Sequence, residues 1–90
     1  MAVYLVTFDS KLPGVDYGGV VNLLKHYKYV RLAEGSFAIE THEATRTIYN
    51  KIMHYVSNGA HVYIMTVTKP FSTQCMEDVK SWLGKHLPQY

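Results

Sequence analysis

The chain has 90 residues, of which 48% are hydrophobic and 18% charged, and its formal net charge is +2. This composition excludes an intrinsically disordered chain, and the length predicts a single domain that spans residues 1–90. The net charge is smaller than dedicated nucleic-acid-binding proteins usually carry, although it leaves room for a local basic patch.

The single cysteine, Cys75, excludes an intramolecular disulfide and a Cys-rich zinc site, and it fits a reducing compartment. The N-terminal sequence MAVYLVTFD lacks the basic region and long apolar run of a signal peptide. No apolar stretch approaches the roughly 20 residues that span a bilayer. We therefore expect a cytoplasmic protein that does not associate with membranes.

The first predicted strand is Val3–Phe8, and it ends at the carboxylate of Asp9. Both of its alternating sets of residues are apolar, a pattern typical of a strand that is covered on both faces. After a Pro13-Gly14 turn, Asp16 is expected to cap a helix over Tyr17–Tyr27. Two glycines in the first turn of this helix weaken it and allow close approach of another segment.

Two strands, Tyr29–Ala33 and Ser36–Thr41, follow as an antiparallel hairpin around Glu34-Gly35. A second helix is expected to begin after a Thr41 cap and to end at Asn58-Gly59. Its apolar stripe contains Ile48, Ile52, Tyr55 and Val56. The last predicted elements are a strand over His61–Thr68 and a helix over Glu77–Leu87, which Trp82 is expected to anchor.

The order β-α-β-β-α-β-α predicts an α+β fold: a ferredoxin-like βαββαβ sandwich with an extra C-terminal helix. Two right-handed crossovers place the first and third strands in the middle of the sheet. We expect the helices to cover one face. Because the other face is also apolar, we expect a homodimer to bury it.

Two interpretations of Asp9 stay open. An aspartate just beyond a strand commonly accepts hydrogen bonds from nearby backbone amides and shapes a turn. Alternatively, Asp9 ligates a divalent metal, and a dimer would supply two such carboxylates. The five histidines show no spacing typical of a metal site, and Cys75 shows no pattern typical of a nucleophile.

Other candidates lie on the hairpin. Ser36 and Phe37 open its second strand, which is expected beside the first strand of the sheet. Ser36 would then lie near either the Asp9 end or the opposite end of that strand, and Phe37 also fits ordinary core packing. Arg31 is suited either to bidentate contact with a phosphate or to a salt bridge with Glu34 or Glu40.

Four stretches together resemble the small SinR-type proteins, which are similar in fold to the CRISPR-associated adaptation protein (the small partner of the integrase) and to the VapD ribonucleases. The stretches are Val6–Asp9, Pro13–Tyr17, Leu32–Thr41 and Ser81–Leu83. The resemblance implies a symmetric dimer through the sheet faces, with Asp9 as the magnesium ligand and catalytic residue of a nuclease.

On this hypothesis a metal-bound water attacks a phosphodiester of RNA or DNA. The residues expected to support the site are Ser10, Ser36 and Phe37, and those expected to contact nucleic acid are Lys11 and Arg31. In the adaptation complex, by contrast, the resemblance implies that the protein holds DNA without cleaving it. The alternative function is a non-catalytic phage or mobile-element protein that binds a host protein, such as a component of a defence system.

Overall fold

A computed structural model describes residues 1–9, 11, 14–57 and 59–89. The elements in chain order are β1 (Ala2–Phe8), α1 (Tyr17–Leu24), β2 (Lys28–Ala33), β3 (Ser36–Thr41), α2 (Thr45–Ile52), β4 (Val62–Val67) and α3 (Glu77–His86). The chain is therefore a small α+β fold. The bounds of β3 are those that the sequence predicts, and the ends of the other strands differ by one residue at most.

The sheet has four antiparallel strands in the order β2-β3-β1-β4. β1 pairs with β3 over Ala2–Thr7 and with β4 over Val3–Phe8. The prediction that the first and third strands lie in the middle of the sheet is confirmed.

The even-numbered residues of β1 face α1 and α2. Tyr4, Val6 and Phe8 belong to a buried cluster to which both helices and β3 contribute. The other buried members are Val20, Val21, Leu24, Phe37, Ile39, Ile48 and Ile52. Because a fully buried aliphatic or aromatic side chain stabilises a fold by about 1.5–3 kcal/mol, this cluster is the main source of stability.

α3 lies on the opposite face of the sheet, against the odd-numbered residues of β1. Leu83 and Leu87 form a second buried cluster with Val3 and Ala38. The expectation that all helices cover one face is therefore wrong for α3. Trp82 packs against this cluster, which confirms its predicted role as an anchor of the last helix.

A polar contact holds the C-terminal end of α3 over the sheet. His86 Nδ1 lies 3.1 Å from Glu40 Oε1 of β3. The imidazole also stacks on the Trp82 ring, with the two centroids 4.2 Å apart. These contacts place α3 over the end of the sheet that contains Val3, and away from the end that contains Asp9.

α1 begins where the sequence predicts and ends earlier. The Gly19 N–H donates to Asp16 Oδ1 at 3.0 Å, so Asp16 is the N-cap. The last helical residue is Leu24 instead of the predicted Tyr27. Beyond it the Tyr27 N–H donates to the Leu24 carbonyl at 3.1 Å, and this tighter turn directs Tyr27 toward Glu43.

α2 ends at Ile52, so the longer helix that the apolar stripe predicts is wrong. The residues after it run beside the loop that precedes α1 instead: the Asp16 N–H donates to the Tyr55 carbonyl at 2.7 Å, and Val56 forms a bridge with Val15. Asn58, the expected end of the helix, lies outside the described residues.

The predicted cap of α2 is also wrong. Thr41 is the last residue of β3, and the N-cap position is Ala44, whose side chain makes no capping bond. The hydroxyl of Thr41 accepts the Glu43 N–H at 3.1 Å, which orders the turn between β3 and α2.

Gly19 allows the segment after α2 to lie against α1. A β-carbon placed on Gly19 would lie 2.7 Å from Asp16 Oδ2 and 2.8 Å from Tyr55 Cε1. The same atom on Gly18 would meet only Asp16 Oδ1, at an ordinary 3.8 Å. The predicted close approach is therefore confirmed at Gly19 and not at Gly18.

We predict that Gly19→Ala destabilises the domain by about 1–3 kcal/mol, because the added methyl group overpacks the contact with Tyr55. Gly18→Ala is the matched control and should stabilise it by about 0.5 kcal/mol, because alanine loses less backbone entropy in a helix. Urea unfolding measures both changes. A Gly19→Ala variant as stable as the wild type would contradict the close approach.

Candidate functional site

Asp9 lies at the exposed end of β1. Its carboxylate accepts the Lys11 N–H at 3.3 Å, and its own N–H donates to the His61 carbonyl at 3.4 Å. The first contact is that of a turn-shaping aspartate. The geometry of one chain thus accounts for Asp9 without a metal.

Magnesium can be held by one carboxylate together with waters and a phosphate oxygen, whereas a site built from the protein alone needs several ligands. Within residues 1–9, 11, 14–57 and 59–89, no three His, Cys, Asp or Glu side chains cluster closely enough to hold a metal ion. Ser10, the expected neighbour of Asp9 in the site, lies outside the described residues. Magnesium binding by Asp9 therefore stays a prediction, either with waters and a phosphate oxygen or with a second carboxylate from another molecule.

Ser36 and Phe37 have different surroundings. Ser36 lies opposite Thr7, at the Asp9 end of the sheet, and the two hydroxyl oxygens are 3.0 Å apart. Phe37 faces the helices and is fully buried between Phe8 and Tyr29. Ser36 is partly buried and its hydroxyl is paired with that of Thr7, whereas Phe37 belongs to the core.

Arg31 is held by contacts within the chain. Its guanidinium donates to the hydroxyl of Tyr17 and to the carbonyl of Ala33, the latter at 3.3 Å. The same group lies over the rings of Tyr17 and Phe37, 5.8 and 5.7 Å from their centroids. Glu40, one of its two expected carboxylate partners, pairs with His86 instead. A phosphate would have to compete with these contacts.

The Asp9 end of the second sheet face is not covered by α3. We call this surface the open half-face, and its members are Leu5, Thr7, Leu32, Ser36, Tyr63 and Met65. Three of them are large apolar side chains that remain exposed, Tyr63 at 54%, Met65 at 49% and Leu32 at 39%. All six are uncharged, so an apolar partner would bury no unpaired charge here.

An apolar cleft joins the open half-face to α3. Its volume is about 260 Å³, and Leu5 and Leu32 of the open half-face form one side of it. The remaining lining residues are Ala38, Val67, Thr68, Pro70, Phe71, Leu83 and Leu87. A cleft of this size and chemistry suits one or two apolar side chains of another molecule.

A hydrogen-bonded cluster that the sequence did not indicate lies at the opposite end of the sheet. Tyr27 Oη donates to Glu43 Oε1 at 2.5 Å, and Lys51 Nζ donates to Glu43 Oε2 at 2.8 Å. The backbone carbonyl of Glu43 accepts the hydroxyl of Tyr4 at 2.6 Å. The cluster thus joins β1, α2, and the segments that follow α1 and β3.

These contacts favour one protonation state. Hydrogen bonds from Lys51 and Tyr27 lower the pKa of Glu43 below its ordinary 4.5. The bond to Glu43 raises the pKa of Lys51, while burial and then the bond to Glu43 raise the pKa of Tyr27. Since these hydrogen bonds connect four segments of the chain, we interpret the cluster as a structural contact.

No protein-family model, curated protein or solved structure matches this chain. The resemblance to the SinR-type, CRISPR adaptation and VapD proteins therefore stays a prediction. In the part of the chain that the structure describes, no helix is long and apolar enough to cross a membrane.

The pKa of Glu43 predicts an acid-dependent stability. Because the folded pKa lies below the unfolded value near 4.5, the stabilisation is present above that pH and is lost as the pH falls through the folded pKa. We predict that Glu43→Gln lowers the free energy of unfolding at about pH 7, and that the difference from wild type shrinks toward about pH 3.

Urea unfolding at several pH values measures this difference, and Lys51→Gln provides the matched background. Glu43→Gln should cost less in that background, because the ion pair is already absent. Equal costs in the two backgrounds, or a cost that grows toward acid, would contradict the coupling.

Proposed function

We propose that this chain is a non-catalytic protein-binding module whose partner is held by the open half-face and the adjoining cleft. The observation that carries this proposal is the exposure of Leu32, Tyr63 and Met65 on one uncharged surface. Soluble domains rarely leave several large apolar side chains together in water unless another molecule covers them.

The face of the sheet that packs against α1 and α2 is covered over its two central strands, in contrast to the open half-face. There Phe37 and Ile39 of β3 are fully buried by α1 and α2. On the other side, α3 completes such a cover only over Val3 and Ala38. A partner that inserts an apolar side chain into the cleft and lies over Tyr63 would complete the cover of the sheet.

We further propose that the sheet with α1 and α2 is a ferredoxin-like unit. One helix connects β1 to β2, another connects β3 to β4, and the strand order β2-β3-β1-β4 agrees with two such crossovers. The chain would then be similar to the stand-alone SinR-type proteins of phages and mobile elements, and its partner a host protein. The free, exposed thiol of Cys75 favours the cytoplasm as the place of action.

The partner surface is tested by Leu32→Glu, which places a charge beside the cleft. We predict that the tagged wild type captures one stoichiometric protein from lysate of the organism that encodes it. The amount of this protein captured by Leu32→Glu should be lower by at least about tenfold, because burying a carboxylate without a partner is costly. Met76→Glu is the matched control, since Met76 is 72% exposed and is neither a member of the open half-face nor part of the cleft lining.

Circular dichroism and thermal unfolding should show that both variants are folded. Equal capture by Leu32→Glu and the wild type would exclude the open half-face as the binding surface. The absence of any stoichiometric partner for the wild type would count against the proposed function itself.

One observation favours a second candidate, magnesium-dependent cleavage of nucleic acid. The carboxylate of Asp9 is exposed at the same end of the two central strands as Ser36, where α3 does not cover the sheet. Two such carboxylates from two molecules would hold magnesium, which would activate water and stabilise the developing charge.

For this candidate we predict that the wild type cleaves single-stranded RNA or duplex DNA in magnesium and that Asp9→Asn lowers the rate by at least about a hundredfold, because a metal ligand is lost. Asp78→Asn, on the exposed first turn of α3, is the control and should cleave like the wild type. Equal rates for Asp9→Asn and the wild type, or no cleavage by the wild type, would exclude it.

A further inference from the structure

The two edge strands of the sheet differ in the features that keep separate molecules from pairing. β2 carries Lys28 and Arg31, and its register with β3 shifts between Arg31 and Ala33. Charged side chains and bulges are common protections of an edge strand. These two features make the β2 edge poorly suited to a further strand.

β4 lacks these protections. Val62–Val67 contains no charged residue and no proline, and its register with β1 runs without a shift. In the described part of the chain, β4 pairs with β1 alone. The backbone N–H and C=O groups on the other edge of β4 therefore point away from the sheet. An uncharged edge of this kind is a template for another strand.

On the open side of the sheet, the exposed side chains Tyr63 and Met65 flank the position of Ile64. If two copies of this strand pair antiparallel with Ile64 at the centre, Tyr63 of each copy lies opposite Met65 of the other on the open side of the sheet. On the helix side, Ile64 meets Ile64 and Val62 meets Thr66. Contacts between methionine sulfur and an aromatic ring, and cross-strand pairs of β-branched residues, are both favourable.

We propose that β4 is a self-association edge, through which two copies of this chain form one continuous antiparallel sheet about a twofold axis at Ile64. A second copy fits this edge because the axis makes both Tyr63–Met65 contacts at once and because no residue of β4 itself is charged. This interface shares Tyr63 and Met65 with the open half-face, but it forms along the strand edge, leaves Leu32 and the cleft uncovered, and goes beyond the binding of another protein.

The proposed axis is perpendicular to the sheet, so both open half-faces lie on the same side of the dimer. They form one longer surface in which Leu32 of each copy stays accessible. The two β1 strands lie three strand spacings of about 4.8 Å apart. The two Asp9 residues lie further apart still, because they point to opposite ends of the dimer. This dimer therefore does not assemble a site with two Asp9 carboxylates.

The experiment is light scattering over a concentration series. Because one strand edge buries less than a standard interface of about 1,600 Å², we expect the wild-type mass to rise from monomer to dimer between about 1 and 100 µM. Met65→Lys should raise the dissociation constant at least about tenfold, because it removes both Tyr63–Met65 contacts and places charge on the edge. Met76→Lys makes the same change at another exposed methionine and should behave like the wild type.

Cysteine cross-linking tests the register without changing Met65. In a Cys75→Ser background, Ile64→Cys should form an intermolecular disulfide on mild oxidation, because residues directly opposite in a sheet lie about 5 Å apart. Tyr63→Cys is the control: its counterpart is displaced along the strand to beyond about 7 Å, and it should cross-link much less.

A monomer mass for the wild type throughout the series would overturn the proposal. So would undiminished dimerisation of Met65→Lys, or a cross-link at position 63 as strong as that at 64. Leu32→Glu, which tests the binding of another protein, should dimerise like the wild type. The two proposals can therefore fail independently.

Discussion

The burial of β1 on both faces is the constraint on which the rest of the structure depends. Its even-numbered residues need α1 and α2, and its odd-numbered residues need a second cover because Val3 is as apolar as Val6. α3 supplies that cover only at the Val3 end. The surface that remains beside Thr7 and Tyr63 follows from a helix too short to cover the whole sheet, and each proposed interface involves residues of that surface.

Much of the fold could be predicted because its signals are local. Alternation identifies the strands, and Asp16 is a cap with its bond only three residues away. The end of α2 could not be predicted in the same way, since Tyr55 and Val56 continue its apolar spacing. Backbone bonds to residues 14–16 override that spacing, and they join segments that are distant in sequence. Periodicity likewise gives α3 an apolar stripe without indicating which face of the sheet it covers.

The same distinction applies to the sites. The sequence placed Asp9 at the end of a central strand, and the structure places it there. The residues around Asp9, and the end of β1 beside which Ser36 lies, depend on the register of strand pairing. The cluster around Glu43 was missed because Tyr27 and Lys51 are on different elements and have no recognisable spacing. The sequence also indicated that the second face of the sheet is apolar. Only the structure shows that α3 covers one half of that face and leaves the other half exposed.

The central place of β1 also has a consequence for biosynthesis. β1 leaves the ribosome before β4, and four other elements of the fold separate these two paired strands in the chain. Until Val62–Val67 has been made, one edge of an uncharged, β-branched and aromatic strand has no partner in its own chain. Strands of this composition are prone to aggregate before they are paired. Pairing of strands that are distant in sequence is also slow. The β2–β3 hairpin is synthesised before β4, and β3 pairs with the other edge of β1.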